Sequence, residues 1–111
     1  MELLKIIKEA LDKVKAYDIQ VYDLRGISPL ADFTVIASID VIRQANAVIS
    51  NLEEMTKDQD VKIRGIEGRD SSWILLDFYD VILHVFTKEE RSNYDLDKLY
   101  VGVKKIDINK L

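Results

Sequence analysis

The hydrophobic and polar residues of this chain recur with two different periods. In two long stretches the apolar side chains repeat every three to four residues, as they do in a helix with one buried side. Several shorter runs alternate apolar and polar residues, as strands with one buried face do. The pattern predicts helices at residues 2–16, 41–57 and from 88 to about 100, and strands at residues 18–24, 32–38, 61–66, 73–77 and 80–86.

This order of elements, α-β-β-α-β-β-β-α, predicts an α/β fold. The helix between the strands at 32–38 and 61–66 calls for a crossover between parallel strands, and the remaining strands can pair antiparallel. Asp40 is the predicted N-cap of that helix. We expect one domain over residues 1–111. Because two helices cover only one face of a sheet, this domain should be a two-layer sandwich whose mixed β-sheet has helices on one face and is partly open on the other.

The strands at 73–77 and 80–86 are the clearest hairpin in the sequence. If Phe78 and Tyr79 form the loop, Trp73 pairs with His84. Two-residue hairpin loops need positive φ at their central positions, which Asn-Gly or Asp-Gly supplies far better than Phe-Tyr. A longer loop is therefore favoured, and it also separates Asp77 from Asp80.

The two faces of this hairpin differ in chemistry. One is wholly aliphatic and needs a helix layer over it, whereas the other is apolar in the middle and polar at its edges, as protein interfaces tend to be. Tryptophan is a frequent interface anchor, although core packing explains Trp73 equally well. The aliphatic face holds Ile74, Leu76, Val81, Leu83 and Val85, and the mixed face holds Trp73, Leu75, Asp77, Asp80, Ile82, His84 and Phe86.

Composition narrows the classes of function. The chain has 111 residues, of which 48% are hydrophobic and 32% charged, and it has no cysteine, so disulfides and cysteine catalysis are excluded. Its net charge of −4 argues against a strong direct nucleic-acid footprint, which needs a basic surface. No apolar run is long enough for a membrane span, and the N-terminus lacks a signal-peptide pattern. These features predict a cytoplasmic protein without membrane contact.

Three groups of residues raise the question of catalysis. Asp77 and Asp80 are spaced as carboxylates that share Mg²⁺ are, but such residues near a turn are more often solvated. His84, the only histidine, suits a general base, yet no nucleophile has a spacing that points to it. Asp23 and Asp32 bracket a turn, where capping and a salt bridge to Arg25 are favoured. We predict no catalytic residue, no metal and no cofactor.

Arg91 and Tyr94 lie just after the hairpin and allow two interpretations. One is the start of a helix with Asp95 near its N-cap. The other is the polar edge of an interface, in which Arg and Tyr are enriched. The predicted partner-binding set combines them with the mixed face: Trp73, Leu75, Asp77, Ile82, His84, Phe86, Arg91 and Tyr94.

Three segments together resemble the ribosomal silencing factor family, also called the Iojap family. They are DIQVYDLRGISPLADFTVIAS at 18–38, RQANAVISNLEE at 43–54 and GIEGRDSSWILLDFYDVILHVFTKEERSNYDLDKLY at 65–100. The resemblance runs from about Asp18 to Tyr100, some three quarters of the chain. It rests on the combination of segments, since no single one is specific enough.

The resemblance implies a protein that is not an enzyme. Members of this family bind the large ribosomal subunit through a ribosomal protein on its subunit-joining face, the fourteenth in the large-subunit list. The bound factor blocks docking of the small subunit and so represses translation, and a role in late large-subunit assembly is also attributed to relatives. The implied fold is similar to nucleotidyltransferases without their catalytic residues. The alternatives are a degenerate nucleotidyltransferase-like enzyme that uses Asp77 and Asp80, and a homodimer of the free protein.

The sequence departs from the family pattern at three places. Tyr79 stands where the family usually has glycine in the hairpin turn, and Tyr100 stands where it usually has tryptophan. Before the second helix the family has glycine followed by small polar residues, where this chain has residues 39–42, Ile-Asp-Val-Ile. The turns at Tyr79 and Ile39 are therefore expected to be strained or rebuilt.

Overall fold

The computed structural model of the protein describes residues 2–111. Six strands and three α-helices follow one another along the chain, with two 3₁₀ turns near the C-terminus. None of the helices within this range is both long and apolar enough to cross a membrane. The elements are α1 (Glu2–Lys13), β1 (Tyr17–Asp23), β2 (Phe33–Ile39), α2 (Ile42–Thr56), β3 (Gly65–Glu67), β4 (Trp73–Asp77), β5 (Val81–Thr87), α3 (Lys88–Tyr94), a 3₁₀ turn (Leu96–Tyr100), β6 (Lys105–Ile106) and a second 3₁₀ turn (Ile108–Lys110).

All six strands join one mixed sheet in the order β3-β4-β5-β2-β1-β6. The pair β2–β5 is parallel, and the other neighbouring strands are antiparallel. The predicted α/β fold with a mixed sheet and a parallel crossover is therefore confirmed. The parallel neighbour of β2 is β5 rather than β3. The connection through α2 leads to β3 at the edge of the sheet, and the chain then returns through β4 to β5.

Helix α1 ends three residues earlier than the pattern predicts. Lys15 takes φ 61°, and the N–H of Ala16 donates to the carbonyl of Leu11 while that of Lys15 donates to Asp12. These two bonds are the Schellman arrangement, which ends a helix by satisfying its last carbonyls. Apolar periodicity persists to Val14 and hides this stop.

The predicted N-cap of α2 is wrong. The cap position is Val41, which has no side-chain acceptor. Gln44 takes over this role, because its Oε1 accepts hydrogen bonds from the backbone N–H groups of Asp40 and Val41, both at 2.9 Å. The carboxylate of Asp40 instead accepts a hydrogen bond of 2.8 Å from the hydroxyl of Tyr17. The segment before α2 is thus rebuilt around a glutamine.

The hairpin of β4 and β5 has the predicted faces but a different register. Trp73 pairs with Phe86 and Asp77 pairs with Ile82, a shift of two residues from the two-residue-loop register. A shift of two keeps every side chain on its face, whereas a shift of one would exchange the faces. The longer loop is confirmed: the N–H of Phe78 donates to the carbonyl of Val81, and Tyr79 takes φ 72°.

The aliphatic side of the sheet, which we call the inner face, carries the main core. Helices α1 and α2 pack on it through buried apolar residues. The opposite side, the outer face, has a second, smaller core that combines aromatic and aliphatic side chains. Its buried members are Tyr22, Leu24, Ile36 and Phe86, and its partly buried members are Trp73, Leu96, Tyr100 and Val103.

The C-terminal part covers a portion of the outer face. The predicted helix from Lys88 breaks at Asp95, which takes φ 48° and separates α3 from the 3₁₀ turn Leu96–Tyr100. After this turn, β6 pairs with β1 at the sheet edge and adds a strand that the sequence pattern does not predict. The outer face is therefore partly open, as predicted, and partly closed by residues 88–103.

Candidate partner-binding face

The eight residues predicted to bind a partner lie in one region of the outer face or directly behind it, but they differ in exposure. Four of them carry accessible surface near the middle of the region. Two form its floor, one lies at the edge, and one lies behind it. Trp73, Leu75, Ile82 and Tyr94 are accessible; His84 and Phe86 form the floor; Asp77 is at the edge; Arg91 lies behind.

Trp73 is the centre of an aromatic cluster on this face. Its ring stacks on Phe86, with 4.7 Å between ring centroids, and is tilted against Tyr94 at the same centroid distance. Offset and tilted contacts at this range are favourable beyond the area they bury. Trp73 remains partly exposed, so it is neither a core residue nor a free surface residue. Phe86, expected to surround it at the surface, is fully buried beneath it.

His84 supports Trp73 from the neighbouring strand. The indole Nε1–H of Trp73 donates a 3.1 Å hydrogen bond to Nδ1 of His84, which must be unprotonated to accept it. Burial lowers the pKa of His84 to about 4, so the neutral ring persists at neutral pH. His84 is in the predicted partner-binding set, but it is only 8% exposed and therefore forms part of the floor of this face.

Asp77 lies at the edge of the face and is paired within the molecule. The Arg64 guanidinium contacts its carboxylate at 2.7 Å and also lies over the Tyr79 ring, with 4.6 Å between guanidinium carbon and ring centroid. The other carboxylate oxygen accepts the N–H of Tyr79 at 2.8 Å. These contacts hold Tyr79 at its positive φ.

Two of the acidic residues considered for catalysis, Asp23 and Asp77, each pair with an arginine. Asp77 faces Arg64 rather than Asp80, and within residues 2–111 no group of three His, Cys, Asp or Glu side chains is arranged to hold a metal ion. The salt bridge predicted for Arg25 is confirmed, since its guanidinium contacts Asp23 at 2.8 Å. The hydrogen bonds from Arg25 lower the pKa of Asp23 to about 2.

Arg91 does not lie at an exposed rim. Its guanidinium is buried against the outer face, with the whole residue 8% exposed. It forms two hydrogen bonds to Asp97, at 3.0 and 3.1 Å, one of 2.6 Å to the backbone carbonyl of Asp18 and one of 2.9 Å to the hydroxyl of Ser38. A bulge in β1 at Asp18, where φ is 50°, presents that carbonyl.

The sequence pattern missed the partners of Arg91. The hydroxyl of Tyr22 donates a 2.7 Å hydrogen bond to Asp97, and the Tyr22 ring stacks on Tyr100 with centroids 4.8 Å apart. Burial and this bond to Asp97 raise the pKa of Tyr22. Burial opposes ionisation of Asp97, but the hydrogen bonds from Arg91 and Tyr22 outweigh it and lower the pKa of that carboxyl. The outer face is thus tied to residues 91–100 by a polar network.

Comparison with known proteins decides the family. The model of the family described as ribosomal silencing factor during starvation matches residues 1–111. The chain belongs to this family. It is 36% identical to the ribosomal silencing factor of Halalkalibacterium halodurans over 89% of this chain and 86% of that protein. It is also 36% identical to the ribosomal silencing factor of Bacillus subtilis, over 88% of this chain and 84% of that protein.

More distant relatives and solved structures agree. The chloroplastic Iojap protein of Zea mays is 28% identical over 92% of this chain and 45% of its own length. A crystal structure from Bacillus halodurans superposes with a TM-score of 0.82 at 33% identity, covering 96% of this chain and 97% of that one. One from Chromobacterium violaceum gives 0.84 at 32% identity, covering 96% and 88%. These likenesses confirm the predicted family and its fold.

Proposed function

We propose that the protein binds the large ribosomal subunit and sterically blocks its association with the small subunit, so that translation is repressed. The proposed contact is the ribosomal protein on the subunit-joining face that is fourteenth in the large-subunit list. Membership of the ribosomal silencing factor family is the observation that carries this proposal. A protein with this role works where ribosomes are, and we assign it to the cytoplasm.

The outer face is the surface that we assign to this contact. Trp73, Leu75 and Ile82 offer accessible apolar area between two polar borders, formed by Asp77 and the exposed Asp80 on one side and by α3 (Lys88–Tyr94) on the other. An apolar centre with a polar rim is the usual anatomy of an interface. The chain's net charge of −4 also favours a basic partner over a nucleic acid.

Co-sedimentation with isolated ribosomal subunits tests the proposal. The protein should pellet with large subunits and not with small subunits, and it should prevent the two from joining. Absence from the large-subunit pellet would overturn the proposal. Binding that leaves subunit joining unchanged would refute the steric mechanism while keeping the partner.

A variant at Trp73 tests the assignment of the face. Trp73→Ala should weaken binding to large subunits by about 2 kcal/mol, about thirtyfold, because a half-buried aromatic anchor is lost. Circular dichroism on the same sample must show that the variant is folded. Unchanged affinity in a folded variant would move the contact to another surface.

The same face supports a second proposal, for the protein away from the ribosome. An accessible apolar sheet face is prone to self-association, and a two-fold dimer would bury it on both copies. Sedimentation velocity over a dilution series should show a dimer that dissociates, and the Leu75→Lys variant should be monomeric throughout. A wild-type protein that is monomeric at every concentration would rule the dimer out.

A further inference from the structure

Residues 88–101 carry three exposed apolar side chains, of which Tyr94 lies against Trp73, although the segment is anchored by polar contacts. Tyr94 is 59% exposed while its ring lies against Trp73. Leu99 is 73% exposed and Val101 is 82% exposed. Because Tyr94 contacts Trp73, the accessible surface of Tyr94 continues that of the outer face.

Apolar burial does not explain the position of this segment. Helix α3 has a single buried side chain, and it is the charged Arg91. The following 3₁₀ turn, Leu96–Tyr100, has none, and its Leu96 and Tyr100 are only partly buried against the second core. A segment with so little buried apolar surface is held by whatever specific contacts it makes.

Those specific contacts converge on Arg91 and Asp97. The guanidinium spans both parts of the structure, since it bonds to Asp18 and Ser38 on the sheet and to Asp97 on the turn. Asp97 is in turn held by Tyr22 of β1. A two-bond arginine–carboxylate pair fixes direction as well as distance, so this pair and the hydrogen bond from Tyr22 together define where the turn lies relative to the sheet.

We infer that Arg91 and Asp97 are positioning residues, which hold residues 88–101 so that Tyr94, Leu99 and Val101 form a second wall of the partner-binding surface beside Trp73. This inference rests on the proposed function, with an apolar strip of the same ribosomal protein as the partner. Arg91 acts through Asp97 and does not itself touch the partner. Lysine cannot replace it, because an ammonium lacks the planar fork that engages both carboxylate oxygens.

Trp73 provides a built-in reporter, because it is the only tryptophan in the chain. Its contact with Tyr94 depends on where the segment lies. Asp97→Asn removes the charge that pairs with Arg91, so the segment should loosen and acrylamide should quench Trp73 fluorescence more strongly than in the wild type. Asp95→Asn is the matched control: Asp95 is exposed on the same segment, and asparagine tolerates its left-handed backbone.

The binding measurement separates positioning from simple stabilisation. In co-sedimentation with isolated large subunits, well below the melting temperature, Asp97→Asn should bind about tenfold more weakly than the wild type, and Asp95→Asn should bind as the wild type does. Tyr22→Phe, which removes one hydroxyl from the network, should weaken binding in the same direction to a smaller extent. If Asp97→Asn does not fold, Tyr22→Phe replaces it in the quenching and binding measurements.

Three results would overturn the inference. In the first, the folded variants melt at lower temperature but keep wild-type quenching and affinity, which makes the network merely structural. In the second, Asp95→Asn matches Asp97→Asn. In the third, quenching rises without loss of affinity, which removes the segment from the interface. If even the wild type does not bind large subunits, the proposed function fails, and the quenching comparison alone confirms or rejects the positioning of Tyr94.

Discussion

The inner and outer faces of the sheet are built from alternate residues of the same strands, but they are closed in different ways. On the inner face, aliphatic side chains such as Leu76 and Leu83 meet α1 and α2 in one continuous core. On the outer face, a small aromatic core is supplemented by hydrogen bonds, including those of His84 and Arg91. Apolar packing defines the first face, and polar geometry defines the second.

This difference suggests a division of roles. A fully covered aliphatic face contributes stability and has no surface left for a partner. The outer face keeps apolar area accessible at Trp73 and Leu75, and its polar contacts fix where each accessible group lies. Variants that act on one face and not on the other therefore test whether the two faces have different roles.

The largest effect is expected from the inner face. Leu76→Ala should lower the free energy of unfolding by about 2–5 kcal/mol, because Leu76 is fully buried and its truncation leaves a cavity. Urea denaturation measures this change. Leu75→Ala, one residue away on the half-buried outer face, is the control and should cost clearly less. Equal costs would mean that the two faces do not differ in packing.

The pH dependence should come from the outer face. The pKa of His84 falls from 6.5 to about 4 on folding because the ring is buried, so between these values the unfolded chain binds more protons than the folded protein. Stability is therefore retained above pH 6.5 and lost as the pH falls towards 4, by about 3 kcal/mol over the full range.

Denaturation midpoints between pH 7 and 4.5 measure this loss. His84→Asn is the control, since its side-chain oxygen can still accept the Trp73 N–H but does not titrate, and its stability should change less with pH. Below this range, protonation of Asp23 adds a loss of its own, because its pKa is lowered by Arg25. An equal pH dependence in the two proteins would contradict a buried neutral His84.

A smaller effect is expected from the loop that precedes β4. Gly68 has φ 78°, and a Cβ at this position would lie 2.1 Å from the backbone oxygen of Trp73. Gly68→Ala should cost about 1–2 kcal/mol for the left-handed backbone alone, and the clash adds to it. Gly65→Ala is the control, since nothing lies within 4 Å of its added Cβ. Thermal unfolding that is the same for both variants would contradict the loop geometry.

Much of the fold follows from local pattern. The inner and outer faces of the hairpin were correct in spite of the wrong register, because side chains alternate with a period of two and the error was two residues. The end of α1, which Lys15 sets from just beyond the helix, and the break at Asp95 were missed, since each depends on a single positive φ at a residue that does not demand it.

The candidate site was less accessible to sequence reasoning. The alternating pattern correctly placed Trp73 beside apolar neighbours on the mixed face. It did not indicate that Phe86 is buried or that Arg91 turns inward. The network of Tyr22, Arg91 and Asp97 joins residues up to 75 positions apart, and no periodicity records such a contact. The only sign of this network in the sequence was Tyr22, which the alternating pattern of β1 places on the face opposite the aliphatic side chains.

We propose that the outer face, and not the helix-covered side of the molecule, contacts the large subunit. The most direct test is a co-sedimentation titration of two lysine variants, Leu75→Lys on the outer face and Ser50→Lys on the exposed surface of α2. Leu75→Lys should bind large subunits at least about tenfold more weakly than the wild type, and Ser50→Lys should bind as the wild type does. Wild-type affinity for Leu75→Lys, or an equal loss for Ser50→Lys, would contradict this proposal.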